Sequence, residues 1–154
     1  MNVNRFALIL GIVYIAFGIL GLISGFLVAP TGEAPDLSVT TLYGYIVGLF
    51  VVNILLTVIH LAIGVWGVVV SGNTLQSLMF ARSVAIIFAI LTIFGLVPGL
   101  NTVFGLMPLY GNNIWLHALT AIIAAYFGFF RYSAGSANLD SSNLTRRRPI
   151  SDKL

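Results

Sequence analysis

The sequence predicts an all-α fold, a four-helix transmembrane bundle made of two helical hairpins. Of the 154 residues, 59% are apolar and only 7% are charged, and the mean hydropathy is +1.06. Soluble domains carry about 25% charged residues, so this composition is typical of a membrane protein. The apolar residues form four runs, each long enough to cross a hydrocarbon core of about 30 Å. The charged residues lie at the ends of these runs, in the loops or in the C-terminal tail.

The predicted spans cover residues of about 6–28, 44–70, 78–97 and 113–131. The second run is the longest, and because it exceeds the roughly 20 residues that a span needs, we expect it to tilt or to extend beyond the hydrocarbon at its start. Loops rich in Pro, Gly, Asn and Ser separate the runs. Residues 1–132 are therefore predicted to form one transmembrane domain. Residues 133–154, which are polar, are expected to form a flexible cytoplasmic tail.

The distribution of charge predicts the orientation. With four spans, Arg5, Arg82, Arg131 and the arginines at 146–148 lie on one side of the membrane, while Glu33 and Asp36 lie on the other. The positive-inside rule then places both termini in the cytoplasm. We expect the bacterial inner membrane, or an internal membrane such as a thylakoid, as the location.

A weak internal repeat supports the two-hairpin plan. Arg5 is followed twelve residues later by Phe17 and Gly18, and Arg82 is followed twelve residues later by Phe94 and Gly95. Each of these helices leads through a loop to a helix that contains a histidine. Because both hairpins would start on the same side, the pattern indicates a parallel repeat about an axis along the membrane normal.

Four glycines of the first span share one face. At about 100° per residue, this face covers an arc of about 80°. Small residues in such a stripe let membrane helices approach closely. We therefore predict that the following glycines face another helix: Gly11, Gly18, Gly21 and Gly25.

The chain's only two histidines, His60 and His117, occupy the same local frame, in which small residues follow at the fourth and seventh positions. On the helix of His60, the shared face holds Asn53, Thr57, His60, Gly64 and Gly67. On the helix of His117, it holds Asn113, His117, Thr120, Ala121, Ala124 and Gly128. Polar residues within a membrane span are rare, so both faces are candidate sites.

Three interpretations of these faces stay open. The histidines, with Asn53, Thr57, Asn113 and Thr120, could be interior polar residues that join helices by hydrogen bonds. Alternatively, His60 and His117 could be axial ligands of a haem or chlorophyll, with the adjacent small residues as an open shelf for the macrocycle. That shelf would consist of Gly64, Gly67, Ala121 and Ala124. A proton or substrate path is the third interpretation, and the lack of acidic residues within the spans weakens it.

Several short segments resemble a known family. His60 with Gly64, the sequence NNIWLH at 112–117 and the preceding PLYG at 108–111 resemble an uncharacterised family of bacterial four-span membrane proteins, domain of unknown function 4383. The resemblance covers about residues 5–130. It implies four helices in a two-hairpin plan, and it implies no reaction or substrate. Ala121 stands where the family's frame more often has glycine.

The absence of cysteine and of catalytic motifs excludes several classes of function. Because the chain has no cysteine, it cannot form a disulfide, a thiolate metal site or an iron–sulfur cluster. We find no carboxylate pair, nucleophile–base motif or phosphate-binding loop. The sequence therefore predicts a non-enzymatic accessory subunit or structural component of a larger membrane assembly. The alternatives are a tetrapyrrole-binding or electron-transfer protein and a small-solute permease. Expected partners are the lipid bilayer and other membrane proteins or further copies of the chain, and no nucleic acid is expected.

Overall fold

The structure, a computed structural model, describes residues 1–32 and 34–131. Within these ranges the chain forms four α-helices, namely α1 (Val3–Leu22), α2 (Ile54–Val70), α3 (Thr74–Leu96) and α4 (Asn112–Ala125). A 3₁₀ turn (Ser24–Phe26) follows α1, and a π-helical turn (Tyr126–Phe130) continues α4. Three short strands lie between α1 and α2, namely β1 (Leu27–Val28), β2 (Gly44–Ile46) and β3 (Phe50–Val52). The predicted tail at 133–154 and Glu33 lie outside the described residues.

Three of the helices are long and apolar enough to cross a membrane. They are Val3–Leu22, Thr74–Leu96 and the continuous helix Asn112–Phe130. These helices indicate a membrane protein. The fourth, α2, is apolar but has 17 residues, which corresponds to about 25 Å. A fourth crossing at α2 therefore stays a prediction, as do the parallel repeat and the orientation of the termini.

The helices pack most extensively as sequential pairs, α1 with α2 and α3 with α4. Smaller contacts join α1 to α3 and α2 to α3. The backbones of α2 and α4, in contrast, barely approach each other. The interior between these two helices is therefore filled by side chains, and the predicted histidine-bearing faces meet there.

The prediction of an all-α fold is wrong in one region, the start of the second predicted span. β1, β2 and β3 form an antiparallel sheet in that order, with Leu27 opposite Ile46 and Tyr45 opposite Val51. Helix α2 therefore begins at Ile54, not near residue 44. Short apolar segments such as Gly44–Ile46 and Phe50–Val52 are compatible with strands as well as with a helix, and hydropathy alone cannot tell the two apart. The chain reverses at Val47 and Gly48, where φ is positive, and this turn fits a β-hairpin.

The other boundaries differ by smaller amounts. The first predicted span continued to residue 28, but α1 ends at Leu22 and the next residues turn into the sheet, where the amide of Val47 donates to the carbonyl of Phe26. Helix α3 begins at Thr74, four residues before the prediction, because the Asn73 side chain accepts a hydrogen bond from the Gln76 amide and caps the helix. The helix formed by α4 and the π-helical turn starts and ends within one residue of the fourth predicted span.

The sheet and the long loop after α3 cover one end of the helices, and we call this region the cap (residues 23–32, 34–52 and 97–111). Its parts are joined by backbone hydrogen bonds, including one from the amide of Ser38 to the carbonyl of Gly105 at 2.8 Å. The hydroxyls of Tyr43 and Tyr110 also hydrogen-bond each other. Burial, together with Tyr43 and Tyr45, raises the pKa of Tyr110. A small apolar cluster joins the cap to α2 and comprises Ile46, Val52 and Leu109 of the cap and Leu56 of α2.

At the end of the helices opposite the cap, Asn4 of α1 hydrogen-bonds to the turn between α2 and α3 and to the start of α3. Its side-chain amide donates to the carbonyl of Ser71, and its side-chain oxygen accepts from the hydroxyl of Thr74. Nearby, Arg82 of α3 donates through Nε to the carbonyl of Gly128 at 2.9 Å. Because a π-helical turn disturbs the helical hydrogen-bond ladder, this bond supports the end of the fourth helix. The larger apolar core lies between this end and the cap.

Candidate functional site

The two histidines come together in the interior. The ring centroids of His60 and His117 are 6.4 Å apart and the ring planes differ by 69°. His60 is 2% exposed and His117 is fully buried. His60 lies about 9 Å along α2 from its start, and His117 about 8 Å along α4 from its start. Both starts are at the cap end, so the pair lies at one level, not far beneath the cap.

Aromatic side chains from α1 and α3 surround this pair. The ring of Tyr14 lies 5.2 Å from that of His60, and Phe17 lies 6.0 Å from it. The ring of Phe88 lies 5.2 Å from that of His117. All four helices therefore contribute to one cluster, which we call the histidine site (Tyr14, Phe17, His60, Phe88 and His117).

The imidazole nitrogens of the histidine site are not hydrogen-bonded to the described residues. Both ring nitrogens of His60 and both of His117 are buried without a partner in the described part of the chain. The Thr57 hydroxyl and the side-chain oxygen of Asn113 are also buried without a hydrogen-bond partner among the described residues. A neutral imidazole has one donor and one acceptor nitrogen, and an unpaired buried polar group costs about 1–3 kcal/mol. The first of the three interpretations requires interhelical hydrogen bonds from the histidines, and no such bond is formed with the described residues.

Two other predicted polar residues do join elements. Asn53 and Asn113 are buried and lie between the helices and the cap. The side-chain amide of Asn53 donates to the carbonyls of Val39 and Leu106, and that of Asn113 donates to the carbonyls of Val51 and Pro108. These two residues therefore fix the cap to the helices above the histidine site.

The hydroxyl of Thr120 is 2.8 Å from that of Tyr14, a buried hydrogen bond between α4 and α1. Tyr14 was missed by the sequence reasoning, although a signal existed. It lies three residues after Gly11 and four before Gly18, which places it on the same face of α1 as the glycine stripe. A polar ring on a face predicted to contact a helix marks an interior position. Phe17 and Phe88 carried no comparable signal, because phenylalanines occur in all four apolar runs.

The shelf predicted beside the histidines is occupied by helix contacts. A Cβ at Gly64 would lie 2.6 Å from the backbone nitrogen of Ile15, and one at Gly67 would lie 2.8 Å from the carbonyl oxygen of Ala7. Ala121 and Ala124 are buried members of the larger apolar core. The backbone of α1 therefore fills the space beside Gly64 and Gly67 that the prediction assigned to a macrocycle. Axial ligation by His60 and His117 itself stays a prediction.

Three glycines of the predicted stripe in the first span lie against α2. A Cβ at Gly11 would approach the backbone of Gly64 and Val68, one at Gly18 would overlap the side chain of Leu61, and one at Gly21 would overlap that of Thr57. Gly25 is the exception and corrects the prediction. It lies in the 3₁₀ turn, after the end of α1, and no atom lies within 4 Å of the place that its Cβ would take.

The side of the histidine site that faces away from the cap is closed by apolar packing. Phe6 of α1 stacks on Phe127 at 4.8 Å between centroids, and Phe80 and Val84 of α3 are fully buried in the same core. The site is therefore an enclosed position beneath the cap. Chemically, it offers two imidazole groups in an apolar and aromatic surrounding, and Asp36, the only acidic side chain among the described residues, lies in the cap and not in this site.

The comparisons with known proteins give the family. No curated protein and no solved structure matches the chain. A family model described as a domain of unknown function (DUF4383) matches residues 4–130, which is most of the chain and includes all four helices and the cap. This match confirms the resemblance found in the sequence. The chain therefore belongs to the DUF4383 family.

Proposed function

We propose that the chain is a non-enzymatic membrane protein that holds a small ligand at the histidine site, as an accessory component of a larger membrane assembly. The observation that carries this proposal is the pair of adjacent, buried imidazoles whose four nitrogens lack partners among the described residues. Buried polar groups are nearly always paired in folded proteins. Four unpaired nitrogens at one place are costly, and a bound group that accepts or donates at these atoms would remove that cost.

A structural role for the histidines is less well supported. If His60 and His117 only joined helices, they would hydrogen-bond to side chains or carbonyls of neighbouring helices, as Tyr14 and Thr120 do. Their nitrogens make no such bond with the described residues. Apolar residues of similar volume would then fill the same space at lower cost. The presence of two imidazoles side by side without such bonds therefore favours a ligand.

A permease is also less well supported. A solute path needs polar groups along the whole interior, and most of the buried polar residues described here lie on the cap side of the core, with Ser77 near the opposite end as the exception. Between the histidine site and the opposite end lie tightly packed aromatic side chains, including the stacked pair Phe6 and Phe127. A closed position of this kind fits binding better than passage.

The accessory role is supported by the cap. Val47 and Phe104 have φ angles of 50° and 58°, and their side chains are 63% and 77% exposed. A positive φ is unfavourable for a β-branched or bulky residue and costs on the order of 1–3 kcal/mol. These strained loops present apolar side chains outward, which is a feature of contact surfaces. The corresponding partner would be another membrane protein or a second copy of the chain.

Native mass spectrometry of the full chain, extracted from its own membrane in a mild detergent, tests both parts of the proposal. We expect the wild-type chain to carry an additional mass that is absent from His60→Gln and His117→Gln. The spectrum should also contain a complex heavier than the single chain. Ser77→Ala is the matched control, because it removes a buried hydroxyl that donates to the carbonyl of Val70, at the end of the helices opposite the cap, and leaves the histidine site untouched.

The control should keep the additional mass. A wild-type chain without any bound mass, or a mass that both histidine variants retain, would contradict the ligand site. A chain found only as a monomer without partners would contradict the accessory role and would leave the ligand site unaffected.

A further inference from the structure

We propose that the ligand of the histidine site is a monovalent copper ion, Cu(I), bound by one nitrogen of His60 and one of His117. This inference rests on the proposed function and names the class of ligand. It is carried by the spacing of the two rings, by the absence of anionic groups near them and by the aromatic surrounding.

The spacing fits one metal ion between the rings. Metal–nitrogen bonds to histidine are about 2.0–2.1 Å long, and with the radius of each ring added, an ion midway between two imidazoles places their centroids about 6 Å apart. The centroids of His60 and His117 are 6.4 Å apart. The angle of 69° between the ring planes does not hinder such coordination, because a two-coordinate ion leaves each ring free to turn about its metal–nitrogen bond.

The number and charge of the ligands select the ion. Within the described residues no group of three or more His, Cys, Asp or Glu side chains comes together. Structural Zn²⁺ requires four ligands in a tetrahedron, and Cu(II) favours a four-coordinate, tetragonal arrangement. Cu(I) is stable with two nitrogen ligands in a nearly linear arrangement. The two histidines alone therefore match Cu(I) best.

The burial of the site favours a single positive charge. The only acidic side chain among the described residues is Asp36, which lies in the cap and not in a helix. A buried ion without a counter-charge is costly, and that cost rises steeply with the charge of the ion. A monovalent ion is therefore favoured over a divalent one.

The aromatic rings around the pair offset part of this cost. Tyr14 lies beside His60 and Phe88 beside His117, each with ring centroids 5.2 Å apart. The faces of aromatic rings attract cations through their quadrupole, and this attraction is strongest where water is excluded. A tetrapyrrole has no comparable space, because the backbone of α1 lies against Gly64 and Gly67.

The test is a titration of the metal-free full chain in detergent with Cu(I), under anaerobic conditions, in competition with the chromophoric chelator bicinchoninate. We expect one Cu(I) per chain. His60→Gln and His117→Gln should each weaken Cu(I) binding by at least about 100-fold. Substitution of a residue that only hydrogen-bonds to a metal ligand already lowers metal affinity by about 10–100-fold. Ser77→Ala, which removes a buried hydroxyl away from the histidine site, should bind as the wild type does. Circular dichroism checks that each variant keeps its helices.

X-ray absorption of the wild-type copper complex tests the site without any variant. We expect two nitrogen ligands with the scattering pattern of imidazole. A stoichiometry other than one, a coordination number of four, tighter binding of Zn²⁺ in a parallel titration, or unchanged affinity in both histidine variants would each overturn the copper assignment.

The two proposals fail in different ways. If native mass spectrometry finds a bound mass that depends on the histidines and that is not copper, such as a tetrapyrrole, the copper assignment falls and the ligand site stands. If neither a bound mass nor Cu(I) binding is found, both fall.

Discussion

At the scale of single residues, Asn53 has the most clearly defined structural role. Its side-chain oxygen accepts from the amide of Leu56 and so caps α2, while its side-chain amide donates to the carbonyls of Val39 and Leu106 in the cap. One buried side chain therefore fixes the start of a helix and joins two loops to it. The Asn53 side chain satisfies an amide of the first turn of α2, which would otherwise lack a partner. The long apolar run therefore becomes helical only after residue 53.

Asn53→Ala should lower the free energy of unfolding by about 2–4 kcal/mol, since a lost helix cap costs about 1 kcal/mol and each lost hydrogen bond a similar amount. The measurement is unfolding in mixed micelles followed by circular dichroism. Asn112→Ala is the control, because Asn112 is exposed and its side chain donates one bond, to the carbonyl of Leu49. The control should lose no more than about 1 kcal/mol. Equal losses in the two variants would contradict the role of Asn53.

At the scale of elements, the contact between α1 and α2 depends on glycine. Gly11 and Gly64 face each other, and a Cβ on either would meet backbone atoms of the other helix at 2.6–2.8 Å. Backbone atoms cannot move aside as the end of a flexible side chain can, so the two helices can approach this closely only without side chains here. The small residues after His60, which resembled a ligand shelf, therefore serve this contact.

Gly64→Ala should destabilise the chain by about 1–3 kcal/mol, the usual cost of overpacking, even though alanine favours a helix by about 1 kcal/mol over glycine. Thermal unfolding in detergent measures the change. Gly25→Ala is the matched control, because nothing lies within 4 Å of its Cβ position, and it should unfold at the wild-type temperature. A Gly64→Ala variant as stable as the wild type would show that α1 and α2 do not touch here.

At the scale of the whole molecule, the open question of architecture is how the helices cross the membrane. Three helices are long enough to cross, and α2 is shorter. Its tight pairing with α1 and its link to the cap make a fourth crossing the simplest arrangement, since α2 then returns the chain to the side where α1 began. The positive-inside rule predicts that the turn between α2 and α3 faces the cytoplasm and that the cap lies on the opposite side.

Two cysteine variants test this topology, and the chain has no native cysteine that would interfere. Gly32→Cys lies in the cap and Gly72→Cys lies between α2 and α3, and both positions are open. In intact cells an impermeant thiol reagent should label Gly32→Cys and not Gly72→Cys. After the membrane is permeabilised, both should react. Labelling of both variants in intact cells would contradict a crossing at α2, and the reverse pattern would contradict the orientation.

The sequence alone predicted the membrane character, the approximate positions of the four helices and the family. These properties depend on composition and on the spacing of residues along one helix, both of which are local. The same periodicity placed each histidine on one face of its helix together with the polar and small residues around it.

Only the tertiary structure decided what lies opposite each face. Residues 44–52 form strands because β1 and the chain reversal at Val47 and Gly48 offer hydrogen-bond partners that hydropathy does not reveal. The small residues after His60 face α1 and not a ligand because Gly11 and its neighbours are the matching surface. Likewise, the aromatic surrounding and the unpaired nitrogens of the two histidines arise from the meeting of four helices. A pattern within one segment predicts which residues share a face, and contacts between distant segments determine what that face binds.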